Sequence, residues 1–229
     1  MREIVIMMGA AGGTIMAYLL AVKIYKRFYT PLLLPVAVAT AIVIVVLALF
    51  DISYEEYMTG AKWIDAFLGP AVVALALPLY QNRHILKRLA IPIVFGTFTG
   101  AVVGVTTGVL LADAAGFPAE IIYSITPKSV TTPVAMDISA SLTGISSLAA
   151  VFVMIAGISG AMCSKMMFRL FQVKSNVGIG VGMGSASHAI GTARAFENNT
   201  EQGSISTIAM ILSAVFVSII APLFIHLTF

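Results

Sequence analysis

The amino-acid composition excludes a soluble protein. The chain has 229 residues, of which 59% are hydrophobic and only 10% charged, whereas soluble domains carry about 25% charged residues. We therefore expect an all-α polytopic membrane protein. The net charge of +3 does not indicate nucleic-acid binding, because the lysines and arginines lie in short loops between apolar segments. The single cysteine, Cys163, excludes an intramolecular disulfide and a cysteine metal site, and we expect neither a metal nor a cofactor.

Eight apolar segments approach the length of about 20 residues that a helix needs to cross a bilayer. They are 4–22, 32–50, 63–81, 90–112, 118–138, 142–163, 177–195 and 204–228. Basic residues rather than a small-residue cleavage site follow the first segment, so we expect it to be a retained helix. The fifth and seventh segments are unusual because they contain prolines, glycines and ionisable residues.

The charges of the loops favour seven crossings and one re-entrant or broken segment. The basic residues after the first, third and sixth segments are Lys23, Lys26, Arg27, Arg83, Lys87, Arg88, Lys165, Arg169 and Lys174. If all eight segments cross the membrane, the lysines and arginines of the loops divide six to five between its two sides. If 118–138 returns to the side from which it entered, they divide nine to two. The positive-inside rule favours the second arrangement. It predicts a cytoplasmic-membrane protein with its N-terminus outside and its C-terminus inside.

The same arrangement predicts an internal repeat within a single transmembrane domain. Segments two to four and six to eight match at an offset of 115 residues and run in opposite directions. We therefore expect repeat 1 at about 1–112 and repeat 2 at about 118–229. Inverted repeats with interrupted helices are typical of secondary transporters.

The fifth segment contains two prolines at membrane depth. Pro127 and Pro133 lack an N–H group and disfavour helix at the preceding residue, so we expect helix breaks at both. Thr132 is then a suitable N-cap and Pro133 a suitable first helical residue, and the positive end of the new helix would bind a carboxylate. The polar residues at the break are Lys128, Ser129, Thr131 and Thr132. The alternative is a surface loop followed by a capped helix.

The seventh segment carries glycine at every second position and then becomes polar. Gly178, Gly180, Gly182 and Gly184 do not line one helix face, which indicates an unwound or closely approached backbone with a break at Gly184. The polar candidates that follow are Ser185, Ser187, His188, Thr192 and Arg194. A histidine can carry a proton near neutral pH, and an arginine can bind a carboxylate through two hydrogen bonds. The alternative is a packed histidine and an arginine that extends to the interface.

Two other features have structural interpretations. Segment 63–81 corresponds to the seventh segment in the predicted repeat, and it should be kinked by Gly69, Pro70 and Pro78. A functional role of this segment is an equally open alternative. A further row on the fourth segment, Gly96, Gly100, Gly104 and Gly108, is typical of a close helix-packing face.

Three stretches, 57–81, 125–139 and 184–206, resemble the LrgB/CidB family, and the resemblance covers essentially the whole chain. It implies one of two functions. One is an antiholin-like regulator of murein hydrolase activity and lysis, acting with a small four-helix holin-like partner of the LrgA/CidA type. The other is a carrier of small monocarboxylates, namely pyruvate in bacteria and glycolate and glycerate in the related plastid translocator. That plastid relative fuses both partners, and this chain resembles only the second half.

We expect the carrier function, by alternating access and with proton coupling, in a homo-oligomer. The two interrupted segments should meet near the membrane midplane. The expected roles are substrate binding by Ser129, Thr131, Thr132, Ser185, Ser187 and Thr192, attraction of its charge by Lys128 or Arg194, and proton coupling by His188 or Asp137. An intramembrane serine hydrolase is disfavoured, because no GxSxG motif occurs and the neighbours Ser187 and His188 point about 100° apart on a helix. We therefore expect no enzyme activity.

Overall fold

The computed structural model of the protein describes residues 2–28, 30, 33, 35–74 and 76–229, and these residues contain no strand. The helices are α1 (Arg2–Phe28), α2 (Pro35–Leu49), α3 (Tyr54–Asp65), α4 (Leu68–Ala74), α5 (Ala76–Gln81), α6 (Arg83–Arg88), α7 (Ala90–Ala114), α8 (Ala119–Ile125), α9 (Thr132–Ser141), α10 (Ser146–Leu170), α11 (Asn176–Asn198) and α12 (Thr200–Thr228). In the described part of the chain, α7, α10 and α12 are long and apolar enough to cross a membrane. The all-α polytopic membrane class is confirmed.

The chain divides into two compact units, Met1–Ala71 and Val72–Phe229. In the first unit, α1 packs against α2 and α3. The hydroxyls of Thr14 and Tyr57 share a hydrogen bond of 2.8 Å that joins α1 to α3, and a capping box at Ser53 starts α3. The first unit therefore has its own packed interior.

Segment 63–81 is divided among several short helices. The end of α3 and the helices α4 and α5 share this stretch. Pro70 lies in the first turn of α4, where the missing N–H removes no intrahelical hydrogen bond, and the position between α4 and α5 lies outside the described residues. Pro70 therefore starts a helix, whereas the kink at Pro78 stays a prediction, and the boundary between the two compact units falls in α4.

In the second unit, α7 and α12 run parallel. Near their starts, Ile93 and Ile205 belong to one buried apolar cluster, and an ion pair of 3.5 Å joins Arg88 to Glu201. Towards their ends, Val109 and Val217 belong to a second, larger buried cluster. We call the end of this unit where α7 and α12 begin the basic end. It carries Arg83, Lys87, Arg88, Lys165, Arg169, Lys174 and Arg194.

The first hairpin consists of α8, the break at 126–131 and α9. It follows the end of α7, and the amide of Ile145 donates a 2.8 Å hydrogen bond back to the hydroxyl of Ser124. The first arm of the hairpin therefore starts, and the second arm finishes, at the end of the unit opposite the basic end. Helix α10 then runs to the basic end. The re-entrant arrangement predicted for 118–138 is the observed one.

The second hairpin is α11, whose two halves are separated by His188. The start of α11 lies beside α12, because the amide of Asn176 donates a 2.7 Å hydrogen bond to Glu201. The end of α11 leads at once into Asn199, the N-cap of α12. Between these points the chain reverses at His188, where φ is 41° and ψ is −131°. Segment 177–195 thus enters from the basic end and returns to it, which differs from the crossing predicted for it.

The break in α11 lies four residues after the predicted one. Gly184 is helical, and any side chain at this position would meet the carbonyl of Ser206 and the side chain of Ala209 on α12. Gly180 likewise faces Ile205, whereas Gly182 faces Phe168 on α10. The alternating glycines are therefore two interleaved rows at i, i+4 spacing, which allow close packing on two sides.

The second unit contains an inverted arrangement of its own. Residues 119–170 form a hairpin and then a crossing helix that starts from one end of the unit. Residues 176–228 form the same two elements starting from the opposite end. This relationship places the turns of the two hairpins inside the unit. The predicted repeat at an offset of 115 residues pairs 90–112 with 205–227 in opposite directions, whereas α7 and α12 run parallel; for this pair the predicted inversion is wrong. The rest of that repeat involves both units and stays a prediction.

Candidate functional site

A cavity of about 550 Å³ lies where the turns of the two hairpins approach α7 and α10. The first hairpin contributes Lys128 and Ser129, and the second contributes Ser185. The remaining lining residues are Gly100, Val103, Gly104, Ile125, Phe152, Ile155, Ala156, Ser159, Gly160 and Ala186. Polar side chains from both interrupted segments therefore face one mostly apolar cavity.

The glycine row of α7 sets the positions of the two serines. A Cβ atom at Gly104 would lie 3.1 Å from Oγ of Ser129, and a Cβ atom at Gly100 would lie 3.1 Å from Oγ of Ser185. These two glycines are one helical turn apart, which corresponds to about 6 Å along the axis. The hairpins thus present one hydroxyl each to adjacent turns of the same helix face.

Lys128 brings a positive charge to the cavity. Its Nζ donates a hydrogen bond of 2.7 Å to the carbonyl oxygen of Gly104. Within the described ranges no carboxylate forms an ion pair with it, since the ion pairs there are those of Arg88 and Arg194. The ammonium charge is therefore not neutralised by the protein residues around it, and an anion in the cavity would meet it.

The N-cap of the helix after this break lies one residue before the predicted N-cap. Thr131 rather than Thr132 is the N-cap of α9, and Pro133 is the second helical residue. Proline is accepted there because the N–H groups of a first helical turn have no intrahelical partner. Thr131 is buried, and its hydroxyl has no hydrogen-bond partner among the residues described. Thr132 is half-buried as the first helical residue.

His188 and Ser187 form the turn of the second hairpin and face α10. The ring Nε2 of His188 shares a 3.0 Å hydrogen bond with the carbonyl oxygen of Val153. Gly157 leaves space for the imidazole, and Gly160 leaves space for the hydroxyl of Ser187. Both side chains are almost fully buried. The histidine therefore contacts α10 rather than a serine nucleophile.

Three predicted residues lie away from this cavity. Thr192 shares a 2.8 Å hydrogen bond with the hydroxyl of Ser206 on α12. Arg194 forms an ion pair with Glu197, one turn further along α11. Asp137 is exposed on α9. Of the predicted binding residues, the cavity is lined by Lys128, Ser129 and Ser185. It is not lined by these three, nor by the residues at the two turns, Thr131, Thr132, Ser187 and His188. Gly69 and Pro70 belong to the first unit.

The sequence interpretation did not assign the α7 glycines to the site. Gly100 and Gly104 line the cavity, and Gly108 receives the side chain of Lys128, although the row was interpreted as packing alone. Ser159 and Gly160 on α10 were also not predicted. The glycine spacing was the available signal, but the spacing does not identify the elements that pack on the row.

A second cavity of about 520 Å³ lies between α7 and the first half of α11, on the side of the basic end. Its lining residues are Pro92, Gly96, Ser175, Val177, Gly178, Val181, Gly182 and Ser185. Ser185 thus lines both cavities. Its hydroxyl donates a 2.7 Å hydrogen bond to the carbonyl of Val181, within the same helix.

The fold and the site define a polytopic helical membrane protein in which two re-entrant hairpins enter a helical unit from opposite ends. The chain belongs to the LrgB-like family, whose model matches residues 14–227. It is 45% identical to "Uncharacterized protein YxaC" of Bacillus subtilis over 93% of both chains. It is 35% identical to "Holin-like protein CidB" of Staphylococcus epidermidis, again over 93% of both. The same figures hold for "Holin-like protein CidB" of Staphylococcus aureus. No solved structure matches the chain.

Proposed function

We propose that the protein is a secondary transporter of small monocarboxylates of the pyruvate, glycolate and glycerate type. The observation that supports this most strongly is the meeting of the two hairpins at one cavity lined by Lys128, Ser129 and Ser185. Transporters use interrupted helices of inverted repeats to bind substrate near the membrane midplane. Ionisable residues within a membrane domain commonly serve substrate or ion pathways.

The residues at the cavity suit a small carboxylate with a neighbouring keto or hydroxyl group. The ammonium of Lys128 attracts the carboxylate, because no acidic partner from the described residues neutralises it. The hydroxyls of Ser129 and Ser185 lie on adjacent turns of α7 and bind the keto or hydroxyl oxygen. Thr131 offers a third hydroxyl that is buried without a partner there. Thr132 and Ser187 complete the binding region at the two turns.

We assign proton coupling to His188. It is buried in the turn of the second hairpin, and its backbone has a positive φ that side chains rarely adopt. A glycine would fit this turn with less strain, so an imidazole at this position has a cost to the fold. The alternative proton carrier, Asp137, is exposed on α9 away from the cavity.

The transport cycle follows from the two entry directions of the hairpins. Movement of the first hairpin opens the cavity to one side of the membrane, and movement of the second opens it to the other side. We further propose that the basic end faces the cytoplasm, as the positive-inside rule requires. Because α11 does not cross, this assignment puts Phe229 outside, contrary to the prediction from the sequence. The outside position of the N-terminus stays a prediction.

The alternative function is that of a holin-like regulator of murein hydrolase activity and lysis. The name of the CidB relatives, holin-like protein, favours it. In that case the chain acts with a small membrane partner of the LrgA/CidA type, and the polar residues at the cavity stabilise packing or a homo-oligomer. A transporter would also accommodate such a partner if the two chains form one carrier.

Uptake by liposomes that contain the purified chain tests the proposal. We expect saturable uptake of labelled pyruvate, glycolate or glycerate that an inward proton gradient increases. Empty liposomes provide the baseline. If the chain alone is inactive, the measurement is repeated with the holin-like partner: uptake then indicates a two-component carrier. Continued absence of uptake would contradict transport and favour the regulator.

A further inference from the structure

We propose that Gly108 is a positioning residue for Lys128, so that the α7 glycine row orients the charge that binds the substrate as well as packing helices. The binding of substrate by this charge rests on the proposed transport function. The placement of the ammonium by Gly108 does not depend on that function. The placement and the substrate binding are tested by separate measurements.

The geometry of a helix explains the role of Gly108. Carbonyl groups point towards the C-terminus of the helix, and Cβ atoms tilt towards its N-terminus. A side chain at position 108 therefore covers the backbone one turn earlier, at position 104. The missing side chain at Gly108 leaves the carbonyl oxygen of Gly104 open to Nζ of Lys128, which approaches to 2.7 Å.

The contacts of Gly108 indicate that an added methyl group would displace the end of the Lys128 side chain before it disturbs any other residue. A Cβ atom would overlap Nζ of Lys128 and lie 3.4 Å from its Cε atom, and these two are the nearest heavy atoms to it. Both belong to the end of a flexible side chain, which can move without displacing the backbone. The Gly108→Ala variant should therefore fold and should relocate the ammonium.

Lysine reactivity tests the placement independently of transport. Acetic anhydride is applied to the purified wild type and to Gly108→Ala, and acetylation of Lys128 is measured by mass spectrometry, with the exposed Lys165 as internal reference. We expect Lys128 to be acetylated several-fold faster in the variant, because its ammonium no longer bonds to the Gly104 carbonyl. An unchanged ratio of Lys128 to Lys165 acetylation would overturn the proposal, whatever the chain transports.

A double-mutant cycle tests the consequence for the substrate. We expect Gly108→Ala to raise KM for the transported monocarboxylate roughly tenfold with little change in maximal rate, the scale of one lost hydrogen bond to a charged group. In a Lys128→Met background, Gly108→Ala should have no further effect, because the two changes act through the same group. Gly13→Ala, at an exposed position of α1 with no atom near the added methyl, should leave KM unchanged. Additive effects on KM would overturn a role through Lys128.

Discussion

His188 shares a 3.0 Å hydrogen bond with the carbonyl oxygen of Val153, and it does so from a backbone conformation that glycine adopts more easily. Val153 lies on α10, the crossing helix that follows the first hairpin. The turn of the second hairpin is therefore attached to the crossing helix that follows the first hairpin. In the proposed transporter, this bond is a direct link between the titratable group and the half of the unit formed by residues 119–170.

The strained turn leads to a comparison of His188→Gly with His188→Ala. Both variants lose the imidazole, but only glycine relieves the positive φ. We expect His188→Gly to be the more stable of the two by about 1 kcal/mol, the usual scale of such backbone strain. Thermal unfolding of the purified variants in detergent measures this difference. Equal stability of the two variants would contradict the strained turn.

The same pair of variants tests the proton-coupling role. Both should lose the part of monocarboxylate uptake that depends on a pH gradient, since neither carries a titratable side chain at position 188. Uptake into proteoliposomes with and without the gradient measures this loss. Gradient-driven uptake at the wild-type rate in the stable His188→Gly variant would exclude His188 as the proton carrier.

Removal of the charge at the cavity should weaken substrate binding. We expect Lys128→Met to raise KM for the monocarboxylate by roughly 10- to 100-fold, because a hydrogen bond to a charged group contributes about 1.5–3 kcal/mol. The matched control is Lys165→Met, which removes an exposed lysine at the basic end. Concentration-dependent uptake compares the two. The same KM in both variants would show that Lys128 does not bind the carboxylate.

The position of Ser185 between two cavities predicts access from the basic end. In a background with the exposed Cys163 replaced by alanine, Ser185→Cys should react with a membrane-impermeant methanethiosulfonate reagent applied from that end, and substrate should slow the reaction. Ser164→Cys is the control, because Ser164 is buried to a similar extent but lines neither cavity. Equal labelling of the two cysteines would contradict a route through the second cavity.

Close packing of the second hairpin on α12 predicts a loss of stability in Gly184→Ala. The added methyl group would lie 2.9 Å from both Cβ of Ala209 and the amide nitrogen of Met210, and the backbone there cannot move as a side-chain end can. We expect a loss of about 1–3 kcal/mol, as for overpacked cores. Gly13→Ala should be neutral or slightly stabilising in the same unfolding measurement. A Gly184→Ala variant as stable as the wild type would contradict the observed contact.

Much of the fold followed from local chemistry. The prolines at 127 and 133 predicted the break between α8 and α9, because proline cannot complete the hydrogen bonds of a continuous helix. The loop charges predicted that this segment is re-entrant. By contrast, the turn at His188 has no proline or glycine, and the glycine pattern predicts the break at Gly184, which instead serves packing on α12. A strained non-glycine turn is held by its surroundings, so its position could not be read from the local sequence.

The sequence alone determined that this is a helical membrane protein with two polar, interrupted segments, since apolar length and charge distribution are properties of each segment by itself. Only the tertiary structure decided that the second segment returns at His188 and that Lys128, Ser129 and Ser185 share a cavity, whereas Arg194 pairs with Glu197 outside it. The contacts at the cavity join residues far apart in the chain. They depend on which helix faces the α7 glycines, and helix packing decides that only after the spans have formed.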